Sequence, residues 1–262
     1  MPRLRLVAAG AASGEPAGRE HRIRRAGLLF FDHIGSVSDD RVEGQCGAYR
    51  VRCGAGDGGT FDIGLQALSG AAARNENLLY IVNNNGAYMN TGIQTSTATP
   101  YGAVTTTNPG GGFKKSWPKD LMGIVAAHNL PYAATASLAY LEDLRAKIEK
   151  AKKVQGFRLL MIDGPCPPGH KTDPAQSIAI ARLAVESRLF PLFEIERQRY
   201  RISYRPERFV PVEECLRQQG RFRHLFQEGN RHMLADIQAF INRYWDKLSW
   251  QEEHSKKEEV EI

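Results

Sequence analysis

The sequence predicts an α/β protein built on a doubly wound, mostly parallel sheet. Three runs, 78–82, 132–136 and 158–163, have the length and apolar character of strands buried within a sheet. Segments with apolar residues three or four apart, such as 59–75 and 141–154, alternate with these runs, as they do in parallel βαβ units. The length of 262 residues allows one large domain or two small ones.

The elements follow one another from residue 50 onwards, whereas the first 50 residues hold a single strand-like run, 27–34. The helical stripe over 59–75 leads into the strand at 78–82. Residues 83–117 are rich in Asn, Thr, Gly and Pro and show no period. Because this segment has almost no charge before Lys114, it predicts a functional loop rather than disorder. Pro118 is typical of a first helical residue and predicts a helix over 118–129.

The pattern changes after residue 188. Before it, Asp173 and Pro174 are typical of a helix start and predict a helix over 173–187. Beyond it, residues 190–206 are predicted to form extended strands that leave the sheet. The segments expected to close the chain are two helices, 212–226 and 230–250, and a frayed tail, 251–262.

Composition and charge exclude several classes of protein. The chain has no run near the roughly 18 apolar residues of a membrane span, and its four cysteines are too few for a disulfide scaffold. The net charge of +6 is modest, so a solvated surface is favoured over a nucleic-acid partner. Residues 1–53 contain nine arginines and no lysine, so this segment differs in kind from the rest.

Two polar turns carry the chemical signal. Gly56-Asp57-Gly58-Gly59 ends a presumed strand and opens a helix, and Asn85 lies just beyond the next strand, with 26 residues, 59–84, between it and Gly58. Adjacent parallel strands bring both turns to the carboxyl edge of one sheet, where open α/β sheets bind ligands. A carboxylate, an amide oxygen and a backbone carbonyl are ligands that Mg²⁺ prefers, and glycines allow a phosphate to approach the backbone. Taken singly, the two turns are also common loop signals.

Four longer motifs identify a family. GDGGTFDIGLQALSGA, AYMNTGIQTSTATPYGAVTTT, DGPCPPGH and IARLAVESRLFPLFEIE closely resemble the thiamine-diphosphate-binding beta subunits of the 2-oxoacid:ferredoxin oxidoreductases, of the pyruvate:ferredoxin oxidoreductase (pyruvate synthase) type. The resemblance spans about 54–248. It implies an atypical N-terminal segment, 1–53, a thiamine-diphosphate-binding α/β domain, 54–190, and a C-terminal extension and tail, 191–262.

The resemblance also implies roles for individual residues. Mg²⁺ would be bound by the Asp57 carboxylate, the Asn85 side-chain oxygen and the Ala87 carbonyl. The residues that would contact the diphosphate are Gly56, Asp57, Gly58, Gly59, Asn85, Asn90 and Thr91. Residues 93–107 would form a wall around the cofactor and the substrate. The glutamate that activates the cofactor comes from the partner alpha subunit, so no catalytic side chain is assigned here.

An iron–sulfur cluster is part of the same resemblance. Cys166 would be a ligand of a [4Fe–4S] cluster beside the thiamine. The family's upstream Cys-x-x-Cys is not visible, because Cys46 and Cys53 are seven positions apart and do not replace it. His170 stands where the family usually has tryptophan.

The implied function is the oxidative decarboxylation of pyruvate to acetyl-CoA with reduction of ferredoxin. The expected partners are alpha-, gamma- and delta-type subunits, ferredoxin, pyruvate and coenzyme A, with no nucleic acid and no membrane, in the cytoplasm. An isolated chain is not expected to turn over. Two alternatives stay open: a truncated or altered non-catalytic relative without the cluster, and a branched-chain 2-oxoacid oxidoreductase subunit.

Overall fold

A single mixed sheet organises the computed structural model, which describes residues 37–40, 50–108 and 112–257. The strands of this sheet are β1 (Val37–Asp40), β2 (Arg50–Gly56), β3 (Leu78–Asn84), β4 (Tyr132–Ser137), β5 (Arg158–Asp163), β6 (Phe193–Glu196) and β7 (Arg199–Ile202). Their order across the sheet is β1-β2-β3-β5-β4-β6-β7. The predicted strand at 27–34 lies outside the described residues.

The four central strands, β2, β3, β5 and β4, run parallel to one another, and β1, β6 and β7 are antiparallel at the two edges. Gly56 pairs with Asn83, and Asn84 pairs with Asp163. The carboxyl ends of β2, β3 and β5 therefore lie side by side.

Helices cover both faces of the sheet. The α-helices are α1 (Leu65–Ala73), α2 (Leu121–Ala126), α3 (Leu141–Lys153), α4 (Pro167–His170), α5 (Ser177–Glu186), α6 (Val212–Arg217) and α7 (His232–Lys257). Tyr80 and Val82 share one core cluster with α1, α2 and α7, whereas Leu79 on the opposite face packs in the cluster of α3. This alternation along β3 confirms the predicted doubly wound α/β architecture.

The prediction that residues 190–206 leave the sheet is wrong. β6 pairs with β4, and β7 pairs with β6. Phe193 and Ile195 are buried against the core, and the Phe193 N–H donates to Thr135 Oγ1 at 2.9 Å. Burial of this alternate pair fixes the two strands as an antiparallel edge.

Several helix ends also differ from expectation. The predicted helix over 212–226 is α6, which ends at Arg217, followed by a 3-10 helix, Gly220–Phe226. α2 begins at Leu121 and not at Pro118, because Asp120 is its N-cap and its Oδ1 accepts from the Gly123 N–H at 2.9 Å. α7 continues to Lys257, which includes the first part of the predicted frayed tail. Glu252 is buried there and accepts from the Ile202 N–H at 3.0 Å, so the helix end is held against β7.

The predicted division at residues 53 and 190 stays a prediction, and most of 1–53 lies outside the described residues. Within the described part of the chain, no helix combines the length and the apolar character needed to cross a membrane.

Candidate functional site

The carboxyl edge of the parallel strands carries the polar residues that the sequence singled out. Asp57 directly follows β2, and Asn85 directly follows β3. Because these strands are neighbours and parallel, both side chains lie at the same edge, and the Asn85 N–H is 3.4 Å from Asp57 Oδ1. The predicted meeting of the two turns is thus present in the structure.

Three oxygen-bearing groups converge at this edge. The side-chain amide of Asn85 faces Asp57 Oδ1 at 2.8 Å and the Ala87 carbonyl oxygen at 2.9 Å. With its nitrogen turned inward, the amide donates to both of these oxygens. With its oxygen turned inward, three acceptors face one another, which is the arrangement that a bound cation would bridge. Neighbouring ligands of an octahedral Mg²⁺ ion are about 2.9 Å apart, since each bond is about 2.0–2.1 Å. Asp57, Asn85 and Ala87 therefore fit a magnesium ion.

Asp57 is buried and held by hydrogen bonds. The side chain is fully buried, and Ser96 Oγ donates to Asp57 Oδ2 at 2.7 Å. Burial raises the pKa of the Asp57 carboxyl, and the hydrogen bond from Ser96 opposes that shift. The buried Lys114 ammonium donates to the Ser96 carbonyl at 3.2 Å and to the Thr99 carbonyl at 2.5 Å, which fixes the loop that carries Ser96.

His170 holds the backbone of Asn85, the second residue of the oxygen cluster. Its Nε2 lies 2.9 Å from the Asn85 backbone carbonyl oxygen. Burial, followed by the nearby Arg221 charge, lowers the pKa of His170 to about 3. The neutral ring therefore carries its proton on Nε2 and donates to Asn85. The resemblance placed Ser96 within the wall at 93–107, but no spacing pattern in the sequence links Ser96 or His170 to Asp57 or Asn85.

The glycines of the first turn differ from one another. A Cβ on Gly56 would meet nothing within 4 Å, whereas a Cβ on Gly58 would lie 2.5 Å from the Tyr88 ring. Tyr88 is fixed over the turn because its hydroxyl donates to Asp62 Oδ2 at 2.9 Å. Gly59 begins a π-helical turn, Gly59–Ile63, that precedes α1. Gly56 thus leaves open space, while Gly58 makes room for Tyr88.

Asn90 and Thr91 lie at the exposed end of a tight hairpin. Tyr88 and Gln94 close this hairpin, since the Tyr88 N–H donates to the Gln94 carbonyl at 2.9 Å. Thr91 Oγ1 donates to Gln94 Oε1 at 2.7 Å. Among the described residues, neither Asn90 nor Thr91 forms a hydrogen bond with Asp57 or Asn85.

Cys166 is the N-cap residue of α4 and is partly exposed. Cys53 and Cys215 are buried free thiols, and burial raises the pKa of the first to about 11 and of the second to about 12. Within the described ranges, no three Cys, His, Asp or Glu side chains cluster as metal ligands. These residues alone do not fit a four-thiolate cluster, and Cys46 lies outside them.

A cavity of about 480 Å³ opens beside the oxygen cluster. Its wall includes Asn85, Gly86, Asp163, His170 and Arg221. Burial raises the pKa of the Asp163 carboxyl to about 7, and burial lowers the pKa of the Arg221 guanidinium to about 10. No spacing pattern in the sequence predicts that Asp163 and Arg221 line one cavity, because 58 positions separate them.

An α/β sheet with oxygen ligands at its carboxyl edge is the arrangement expected for a metal-dependent cofactor site. Residues 44–162 match the family described as "Thiamine pyrophosphate enzyme, C-terminal TPP binding domain". The fold and this match together define the class of the chain as a thiamine-diphosphate-binding enzyme domain.

Individual relatives narrow the class. The chain is 49% identical over 197 residues to "Pyruvate synthase subunit PorB" of Methanothermobacter thermautotrophicus, covering 74% of this chain and 67% of that protein. It is 46% identical over 213 residues to "Ketoisovalerate oxidoreductase subunit VorB" of Pyrococcus furiosus, covering 79% of this chain and 67% of that protein. The chain therefore belongs to the family of thiamine-diphosphate-binding beta subunits of the 2-oxoacid:ferredoxin oxidoreductases.

A solved structure, that of "2-oxoglutarate:ferredoxin oxidoreductase from Magnetococcus marinus with 2-oxoglutarate, coenzyme A and succinyl-CoA bound", is also similar. The likeness has a TM-score of 0.41 and 22% identity over 48% of this chain and 50% of that chain. It is too weak to support any inference.

Proposed function

We propose that this chain binds thiamine diphosphate with Mg²⁺ as the beta subunit of a pyruvate:ferredoxin oxidoreductase. The observation that carries the proposal is that the Asn85 side-chain amide lies 2.8 Å from Asp57 Oδ1 and 2.9 Å from the Ala87 carbonyl oxygen, so that turning its oxygen inward brings three oxygen ligands together. Three hard oxygen ligands leave positions for water and for phosphate oxygens, which is how Mg²⁺ is usually held beside a diphosphate.

In this proposal the residues of the chain bind and orient the metal ion and the diphosphate. Asp57, Asn85 and Ala87 hold the metal, while Ser96 and His170 keep the first two in position. Gly56 leaves space for the diphosphate to approach the backbone. The thiamine ring, when bound, supplies the nucleophilic carbon and the electron sink for decarboxylation of a 2-oxoacid. The protein contributes a fixed metal and a partly enclosed cavity.

Pyruvate is the substrate we favour. Support comes from the pyruvate synthase relative at 49% identity. It also comes from residues 211–226, whose sequence resembles that of the pyruvate type of these beta subunits. The second candidate is a branched-chain 2-oxoacid, supported by the ketoisovalerate oxidoreductase relative at 46% identity.

Other subunits belong to the proposal. The relatives are named as subunits, so we propose alpha-, gamma- and delta-type partners, with ferredoxin as electron acceptor, coenzyme A as acyl acceptor and the cytoplasm as location. Cys166 is the cysteine that the resemblance assigns to an iron–sulfur cluster, but the other cysteines do not complete a four-thiolate set, since Cys53 and Cys215 are buried free thiols and Cys46 is the one further cysteine of the sequence. The activating glutamate would come from the alpha subunit, so the isolated chain is expected to bind the cofactor without turnover.

The test is calorimetric titration of the full chain with thiamine diphosphate, with Mg²⁺ and with EDTA. We expect Mg²⁺-dependent binding that is lost in Asp57→Asn and kept in the matched control Asp246→Asn, an exposed carboxylate on α7. Binding that is the same in EDTA, or unchanged in Asp57→Asn, would contradict the proposal.

Reconstitution with an alpha-type partner then separates the substrates and the alternatives. We expect decarboxylation of pyruvate to exceed that of 3-methyl-2-oxobutanoate. The reverse order would identify a branched-chain enzyme. Cofactor binding without any decarboxylation in the complex would identify a non-catalytic relative.

A further inference from the structure

We infer that Arg221 anchors an oxyanion-binding site at the edge of the proposed magnesium site and takes a phosphate or carboxylate group. The inference rests on the proposed function and deepens it, because the oxyanion would belong to the diphosphate of the cofactor or to the carboxylate of the 2-oxoacid. The motifs at Gly56–Gly59 and at Asn85 do not include Arg221 and give it no role in binding either group.

Arg221 is a buried cation with unused donors. Its side chain is 6% exposed, and its Nε donates to Gln219 Oε1 at 2.9 Å. Its two terminal nitrogens donate to no acceptor among the described residues. A buried guanidinium group with unpaired N–H groups is unfavourable unless an anion compensates it. The arrangement is therefore typical of a site that receives an acceptor group.

The free end of Arg221 points to the metal-site loop. Its Nη1 is 3.1 Å from the position that a Cβ on Gly86 would take, and Gly86 lies between the proposed metal-binding residues Asn85 and Ala87. Arg221 and Gly86 both line the cavity of about 480 Å³. An oxyanion bound at this guanidinium would therefore lie in the cavity, beside the proposed metal.

The negative charges of Asp163 and Asp57 act on Arg221, but neither carboxylate is bonded to its guanidinium group. Asp163 and His170 line the same cavity, and Asp163 Oδ2 and His170 Nδ1 are buried atoms without a hydrogen-bond partner in the described part of the chain. Asp163 and Arg221 form neither an ion pair nor a hydrogen bond. A paired arginine would have few donors left, whereas this one keeps its planar fork, which matches carboxylate and phosphate geometry.

Charge balance favours the phosphate of the cofactor as the source. A diphosphate carries several negative charges, and Asp57 cancels part of the charge of one Mg²⁺ ion. In residues 54–113 the sequence has a single basic residue, Arg74, and its Nε is paired with Glu76 Oε1 at 2.8 Å. Arg221, which comes from the C-terminal extension, supplies a cation that the glycine turn and the asparagine loop lack.

The test uses the full chain in EDTA, without Mg²⁺ or thiamine, titrated separately with inorganic pyrophosphate and with pyruvate. We expect Arg221→Met to bind pyrophosphate roughly 10- to 100-fold more weakly than the wild type. Arg223→Met, which removes an equal charge from an exposed position two residues away, should bind as the wild type does. If pyruvate and not pyrophosphate is the anion affected, the oxyanion site still stands and its ligand is the 2-oxoacid carboxylate.

Equal affinities of the wild type and both variants for pyrophosphate and for pyruvate would overturn the inference, and so would the absence of anion binding by the wild type. A melting curve separates binding from folding. Arg221→Met removes an uncompensated buried charge, so the unliganded variant should melt at the same or a higher temperature. A lower melting temperature with unchanged pyrophosphate affinity would instead mark a structural residue. Mg²⁺-dependent cofactor binding that is lost in Asp57→Asn, together with pyrophosphate and pyruvate affinities that are both unchanged in Arg221→Met, would overturn this inference and leave the proposed function intact.

Discussion

The imidazole Nε2 of His170 lies 2.9 Å from the backbone carbonyl oxygen of Asn85, and this contact joins the segment after β5 to the loop after β3. The ring is buried, and burial, together with the charge of Arg221, lowers the pKa of His170 to about 3. His170 is therefore a neutral donor over the whole physiological range. It fixes the backbone of a proposed metal-binding residue without contacting the metal.

Replacing His170 by alanine should weaken metal binding while the fold is kept. Loss of a residue that orients a metal ligand typically lowers metal affinity about 10- to 100-fold. The measurement is a Mg²⁺ titration at saturating thiamine diphosphate. His232→Ala, at an exposed position on α7, is the control and should leave the affinity unchanged. Equal Mg²⁺ affinity in the two variants would show that His170 does not position the site.

Gly58→Ala should destabilise the fold through a steric clash with Tyr88. Gly58 has φ −57°, so alanine meets no backbone strain, but its Cβ would lie 2.5 Å from the Tyr88 ring. Overpacking of this kind costs about 1–3 kcal/mol in the free energy of unfolding. Urea denaturation measures the change, and Gly229→Ala, whose Cβ meets nothing within 4 Å, is the control.

A double-mutant cycle identifies the cause. In the Tyr88→Ala background, Gly58→Ala should cost much less than it does in the wild type, because the ring is no longer present. Additive effects of the two substitutions would show that the loss of stability in Gly58→Ala does not come from a clash with the Tyr88 ring.

The fold could be predicted where the sequence pattern of a single segment indicates its secondary structure. The apolar run at 78–82 predicted β3, and the parallel arrangement of β2 and β3 made the meeting of Asp57 and Asn85 foreseeable. The pairing of strands within 190–206 with the sheet could not be predicted in the same way. Whether two short strands join the sheet depends on the residues against which Phe193 and Ile195 pack. Those residues come from other parts of the chain and are brought together only in the folded core.

The supports of the candidate site could not be predicted for a related reason. His170 and Asn85 are 85 positions apart, and Ser96 and Asp57 are 39 positions apart. Such contacts create no local period and no fixed spacing. The residue types do not reveal them either, because a single serine or histidine usually has a structural or surface role.

Lys114 should give the chain a stability that rises with pH. Burial lowers the pKa of Lys114 to about 8 in the folded chain, against 10.5 for an ordinary lysine. Between these values the unfolded chain binds more protons than the folded chain, so the free energy of unfolding increases with pH through this range. Below about pH 8 the cost of burying the charged ammonium is present in full; by pH 10.5 it is gone.

The measurement is urea denaturation of the wild type and of Lys114→Met between pH 7 and pH 10. Taking the difference between the two proteins removes the contribution of tyrosines that titrate near pH 10. We expect the wild type to gain stability relative to the variant as the pH rises. A difference that does not change with pH would show that the Lys114 charge carries no burial cost.

Gly56→Ala should separate cofactor binding from folding. A Cβ at Gly56 would meet nothing within 4 Å, so the free energy of unfolding should change by less than about 0.5 kcal/mol. If the diphosphate approaches this turn, the added methyl group takes up that space, and the affinity for thiamine diphosphate with Mg²⁺ should fall by about tenfold or more. Calorimetric titration and urea denaturation of the same preparation measure both quantities, with Gly229→Ala as the control for each. Unchanged cofactor affinity in Gly56→Ala would remove Gly56 from the proposed diphosphate site.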